Sequence, residues 1–281
     1  MSMKTILVPT EQHKRMRSTL ETALLLARRC DSYIEGFALR FRINVFVAAD
    51  ISDGFPLDQF KDYRLEEAKQ ARRTFESFMQ ENNVPSSDQK AASLSFGWLN
   101  EAPEGESFVG SYGRIFDVIA MSKPDGNTFG LQHRAFESGL FESGRPVLVS
   151  PPSPPQQIAT NVLIAWNCST EQARVTALAM PLLQGAARVT VLTVVGGAAV
   201  PGPSGEQLIR YLQRNGISAV PLTVELDGRS TGQAILATAE SLGCDLLIKG
   251  AYTQSRYRQM IFGGATRHIL ANASLPVLMA H

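Results

Sequence analysis

Cysteine is scarce. The three in 281 residues, Cys30, Cys168 and Cys244, are scattered and odd in number, which excludes a disulfide framework or a CxxC zinc site and makes a reducing cytoplasm the expected location. Charge of one sign is also lacking: a net charge of +1 supplies no overall field for gripping a nucleic-acid backbone. No apolar run approaches the ~20 uninterrupted residues that cross a bilayer. The amino terminus passes from a short strand-like run into charge, without the longer apolar core of a secretion signal. The four histidines, His13, His133, His268 and His281, show neither HExxH nor a pair four apart, so each reads as a surface residue and not as a zinc ligand or catalyst. GxGxxG, GxxxxGK[ST] and GxSxG are all missing, which argues against ordinary dinucleotide, P-loop and hydrolase sites.

What is present is ordinary globular composition, 44% apolar and 19% charged, in a chain long enough for two domains. Four landmarks occur twice in the same order. Lys4 to Glu11 corresponds to Thr160 to Asn167, each a β-branched run, a turn and then a helical pattern. Second strands are expected near Tyr33 to Leu39 and Arg188 to Val195. Asp117 to Ser122 corresponds to Asp245 to Gly250, and Arg145 to Val149 to Leu275 to Met279. Between the copies, the proline-rich Ser150 to Pro155 can neither continue a helix nor pair as an inner strand, so domains of 1–152 and 157–281 are expected. Strands that are apolar throughout and alternate with helices indicate α/β architecture: two doubly wound parallel-sheet sandwiches. Capping-box spacing marks helix starts at Ser169 with Gln172 and at Ser230 with Gln233. The first copy carries a polar insertion, Phe41 to Asp62, ahead of an amphiphilic helix from about Tyr63 to Asn82.

Binding in such sheets is expected at the carboxyl ends of the strands, where strand order reverses. In the second copy those ends are Ala165, Trp166 and Asn167 on one side and Gly250 onward on the other, so a polar and aromatic wall would face a glycine loop. That loop runs from Gly250 past Arg256 and Arg258 to Gly263 and Gly264, with Lys249 and Arg267 at its ends and no acidic residue after Asp245. Free N–H groups at a helix start beside such charges form a seat for phosphate. Cys168 lies near a helix start, where a thiol pKa falls; a small half-buried side chain is the preferred reading of it.

The paired landmarks and the Gly250 loop resemble the tandem universal stress proteins, with adenine nucleotide alpha hydrolase-like domains, over nearly the whole chain. ATP-binding members carry G-x2-G-x9-G-[S/T] after the fourth strand; here Gly250 and Gly263 keep the spacing, Thr253 replaces the middle glycine and Gly264 the hydroxyl residue. Thr253 is the more serious departure, because β-branching adds bulk where a ligand should sit. The resemblance implies ATP or a related adenine nucleotide as ligand, contacted by Ala165, Trp166, Asn167, Val194, Gly250, Thr253, Gly263, Gly264 and Ala265. Asn167 stands where the family has an acidic residue facing the nucleoside. In the first copy Pro9, Thr10 and Glu11 keep a nucleotide-binding order, but the segment after Ser122 lacks the glycines and carries Asp125, so this copy reads as degenerate.

Two functions follow as expectations: a stress-response binding module without strong catalysis, or a scaffold acting through protein partners with the nucleotide cleft closed. Nucleotide hydrolysis ranks third, since no base or metal-binding acid follows Gly250. The last strand of each copy is short and apolar, and pairing between the copies as an internal pseudo-dimer would cover both edges and leave homodimerisation open.

Overall fold

The β-branched runs and the helices between them assemble into one ten-stranded sheet covered on both faces. The computed structural model describes residues 3–40, 57–86, 93–124, 130–251 and 264–281. The strands are β1 (Thr5–Thr10), β2 (Tyr33–Ala38), β3 (Ser95–Leu99), β4 (Val118–Ser122), β5 (Val147–Ser150), β6 (Asn161–Ala165), β7 (Arg188–Val195), β8 (Val220–Glu225), β9 (Leu246–Gly250) and β10 (Val277–Ala280). The helices among the described residues are α1 (Met16–Cys30), α2 (Leu57–Glu81), α3 (Ser107–Gly113), α4 (Leu131–Glu142), α5 (Thr170–Leu178), α6 (Met180–Gln184), α7 (Gly205–Arg214), α8 (Thr231–Ser241) and α9 (Gly264–Asn272). None of these is long and apolar enough to cross a membrane.

The strand order is β3-β2-β1-β4-β5-β10-β9-β6-β7-β8. Each half therefore places its strands in the same sequence, third, second, first, fourth, fifth. All neighbours pair in parallel except β5 and β10, which run antiparallel with Val277 opposite Val149, Leu278 opposite Leu148 and Met279 opposite Val147. The two sandwiches expected from sequence are thus fused edge to edge into one continuous sheet. Pairing the fifth strands leaves neither half with an open inner edge. Ser150 belongs to β5 and pairs with Ser122, so the unpaired connection begins only at Pro151. It is tied down by Ser18, whose Oγ donates to the Pro151 carbonyl at 2.7 Å.

Alternation within each inner strand feeds two cores. Ile6 and Val8 face α1 and α2, packing with Leu20, Leu24, Phe75 and Met79, while Leu7 faces the other side with Phe136 and Leu140 of α4. In the second half Val162 and Ile164 pack with Val175 of α5, and Leu163 with Ile235 of α8 and Ile269 of α9. Burial on both faces is why these strands are apolar throughout. The edge strand β8 departs from that expectation: Val220 is half-exposed, and Leu222 and Val224 are only partly buried. Pro221 lies there without disrupting an inner strand.

Helix α2 begins at Leu57, six residues earlier than the periodicity suggested. Pro56 directly before it and Asp58 in its first turn are start signals that the amphiphilic pattern alone overlooks. The rest of the insertion, 41–56, lies outside the described residues.

The aspartates that open the fourth strand in each half have a specific task. Asp117 Oδ2 accepts the main-chain N–H groups of Lys4 at 2.7 Å and Thr5 at 3.0 Å. Asp245 Oδ1 accepts those of Thr160 at 2.9 Å and Asn161 at 3.0 Å. Each carboxylate clamps the start of the first strand to the start of the fourth. Because bonds to a charged acceptor contribute about 1.5–3 kcal/mol each and the donors would be left unpaired, Asp245→Ala is expected to lower unfolding free energy by about 3 kcal/mol in urea titration. Unchanged stability would mean that water replaces the clamp without loss.

Candidate functional site

Strands β6 and β9 are neighbours, with Ile164 opposite Ile248, and β7 and β10 flank them on opposite sides. Strand order reverses between them, so their carboxyl ends open a crevice. The turn that leaves β6 is held by short-range bonds. Cys168 adopts φ +65°, the left-handed region that glycine occupies without strain. The Ser169 N–H donates to Asn167 Oδ1 at 3.3 Å, and Ser169 Oγ accepts the Gln172 N–H at 3.1 Å, capping α5.

The reciprocal half of that capping box is absent. Gln172 points the other way: its Oε1 accepts the Gly250 N–H at 2.7 Å and its Nε2 donates to the Ile248 carbonyl at 3.3 Å. Ser230 does form a complete box with Gln233, and so do Ser204 and Gln207 on α7.

Gly250 is explained by the same contact. A Cβ there would stand 2.4 Å from the Gln172 nitrogen and 2.7 Å from the Glu171 carbonyl carbon. The glycine lets α5 lie against the end of β9, and it does not line the cavity, contrary to the expectation that it brings backbone close to a ligand.

A cavity of about 120 Å³ lies at these strand ends. Of the residues expected at the site, Ala165, Trp166, Asn167, Val194, Gly264 and Ala265 line it. Thr253 and Gly263 lie outside the described residues, as do Arg256, Arg258 and Asp125. Leu192, Ala198, Thr231, Ile235 and Thr266, which the sequence does not mark, complete the walls together with Lys249. The connection after β7 supplies part of this wall, and its Gly196-Gly197 pair, with Gly196 at φ +73°, was the available signal for a tight turn at a strand end.

Two expected contacts have a different character in the structure. Trp166 is no open aromatic wall: its side chain is 6% exposed within the core, and its Nε1 donates to the Pro203 carbonyl at 2.8 Å. Asn167 bridges the turn to the β7–α7 connection, donating through Nδ2 to the Ala198 carbonyl at 3.4 Å and accepting the Val200 N–H on its own carbonyl at 3.1 Å. The amide is thus already used within the protein.

Lys249, expected among the cations around a phosphate, is 4% exposed and donates from Nζ to the Gly250 carbonyl at 2.6 Å. Burial pushes its pKa down to about 8, opposed by the Glu171 carboxylate. Cys168 is half-buried, with Sγ donating to the Pro203 carbonyl at 3.1 Å. Burial raises its thiol pKa, and the Trp166 side chain opposes that rise. The structure thus agrees with the preferred reading of Cys168 as a small half-buried side chain and not with a thiol activated by the helix start, because the left-handed turn sends the side chain against Pro203.

At the matching strand ends of the first half, His13 Nε2 lies 3.4 Å from Ser122 Oγ and 3.6 Å from Glu11 Oε1. His13 Nδ1 accepts the Arg15 N–H at 3.1 Å. In the neutral ring Nε2 then carries the proton and cannot take one from Ser122, so the trio does not form an activated nucleophile. His133 also departs from the surface reading: it is buried, with Nε2 3.4 Å from Glu137 Oε1.

Residues 159–281 match the Universal stress protein family. The universal stress protein of Archaeoglobus fulgidus DSM 4304 has a similar structure, with a TM-score of 0.72 at 14% identity, over 100% of this chain and 99% of that one. A candidate universal stress protein from Pseudomonas aeruginosa UCBPP-PA14 gives 0.53 at 15% identity, over 99% and 93%. A functionally unknown protein from Pseudomonas aeruginosa PAO1 gives 0.52 at 14%, over 99% and 92%. These likenesses extend the universal stress protein fold across both halves. No curated protein matches the sequence significantly.

Proposed function

We propose that the protein is a binding module of the universal stress protein type and that its second half takes an adenine nucleotide, with the first half a degenerate copy of the same domain. The observation that carries this reading is convergence. Residues far apart in sequence, Ala165 to Asn167, Val194, and Gly264 with Ala265, surround one cavity at the strand-order reversal. The base would occupy the cavity, against Ala165, Val194 and Ile235. The phosphates would meet the first N–H groups of α9, where a helix start favours anions. The domain division at 1–152 and 157–281 draws support from the identical strand order of the halves.

The second reading, a scaffold that works through protein partners, is favoured by size. Ligand pockets usually hold about 300–1,000 Å³, and the cavity among the described residues holds about 120 Å³. Calorimetric titration of the purified chain with ATP and ADP separates the two. Saturable heat that Gly263→Val abolishes is expected, and Thr253→Gly should strengthen binding by removing a β-branched side chain. Absence of heat at millimolar nucleotide would leave the scaffold reading standing.

A further inference from the structure

Lysine is seldom buried without a charged partner. Lys249 is buried, lines the cavity, and has only the Gly250 carbonyl as a hydrogen-bond partner among the described residues. It shares a face of β9 with Leu247, since side chains two apart in a strand point the same way. Ala165 and Leu192 belong to the same side of the sheet, and Ile235 and Ile269 of α8 and α9 pack in the core on that side. The amine therefore stands in largely apolar surroundings, with the Glu171 carboxylate as the charge that acts on it. With burial lowering its pKa to about 8, roughly a quarter of the side chains are neutral at pH 7.5, against about one in a thousand for an ordinary lysine. A desolvated amine of this kind is the form that attacks carbonyl carbon. The cavity is of useful size, because an apolar cavity of about 150 Å³ takes a benzene-sized molecule.

We infer that Lys249 is a covalent capture site for short apolar aldehydes, of about five or six non-hydrogen atoms, admitted to this cavity. The Nζ lone pair adds to the carbonyl carbon while the π electrons move to oxygen. Proton transfer from nitrogen to that oxygen gives a carbinolamine, and loss of one water leaves the imine, Lys–N=CHR. No oxidant or reductant takes part. The inference does not rest on the nucleotide reading, and an adenine base in the same cavity would compete with the aldehyde.

The test is reductive trapping. The full chain is incubated with butanal and cyanoborohydride at pH 7.5, and peptides are mapped by mass spectrometry. The six other lysines serve as internal references, Lys69 being exposed. Lys249 is expected to take the butyl group at least about tenfold faster than Lys69, a preference that should vanish with a bulky naphthaldehyde. Lys249→Arg, checked for folding by circular dichroism, should lose the fast product alone. Labelling of Lys249 no faster than Lys69, equal labelling by the bulky aldehyde, or fast labelling that persists in Lys249→Arg would each overturn the inference.

Discussion

Gly250→Val is expected to lower unfolding free energy by about 4 kcal/mol in urea titration, whether or not nucleotide is present. The first added carbon would lie 2.4 Å from the Gln172 nitrogen and 2.7 Å from the Glu171 carbonyl carbon. Both are main-chain atoms, so no side-chain rotation relieves the contact. Overpacking of this kind costs about 1–3 kcal/mol, and pushing α5 away also breaks the Gly250 N–H bond to Gln172 Oε1, leaving a buried donor unpaired at about 1–3 kcal/mol more. Gln172→Ala isolates the second effect and should show only that smaller loss. If Gly250→Ala instead kept full stability and abolished nucleotide heat, the glycine would belong to a ligand and not to helix packing.

Replacing Lys249 by methionine should have the opposite sign, stabilising the protein at pH 7 by roughly 2–3 kcal/mol. The amine's folded pKa of about 8 lies below its ordinary value of 10.5. Below pH 8 both the folded and the unfolded chain hold the proton, and the folded state bears the full cost of the buried charge. Between pH 8 and 10.5 the unfolded chain binds a proton that the folded chain lacks, so the stability of the native sequence rises with pH. The span corresponds to about 3.4 kcal/mol at 1.36 kcal/mol per unit, reduced by loss of the Nζ bond to the Gly250 carbonyl. The advantage of Lys249→Met should therefore shrink as pH climbs from 8 towards 10. A stability difference that stays constant across this range would show that the amine is charged in the folded state throughout.

These two neighbours also show what could be read in the chain. The strand Leu246 to Gly250 was legible because three consecutive apolar residues between turn signals have few alternatives. Its approach to the end of β6 follows from the reversal of strand order expected in a doubly wound sheet. The position of Lys249 at the site is legible in the sequence, but the enclosure of its charge is not, since strand periodicity does not say how far a helix covers the strand end. Gly250 was assigned to ligand approach because a glycine after a strand looks the same whether a phosphate or a helix backbone needs the space. Gln172 fitted a capping box by spacing alone, and the competing acceptor and donor on β9 that divert its amide are more than seventy residues away. The burial of Trp166 is hidden from the sequence for a related reason: Pro203, which receives its donor, belongs to a different connection.

Local pattern by itself determined the α/β class, the duplicated order of strands, the helix starts at Ser169 and Ser230 and the strand ends at which a site could form. Those features depend on periodicity, turn chemistry and apolar content within a few residues, all of which travel with the sequence. Tertiary structure alone decided the antiparallel register in which β5 meets β10, that Gly250 makes room for α5, and that an amine is enclosed beside the cavity. Each of these depends on which backbone atoms approach from distant segments, and excluded volume and desolvation act on that approach whatever the spacing along the chain.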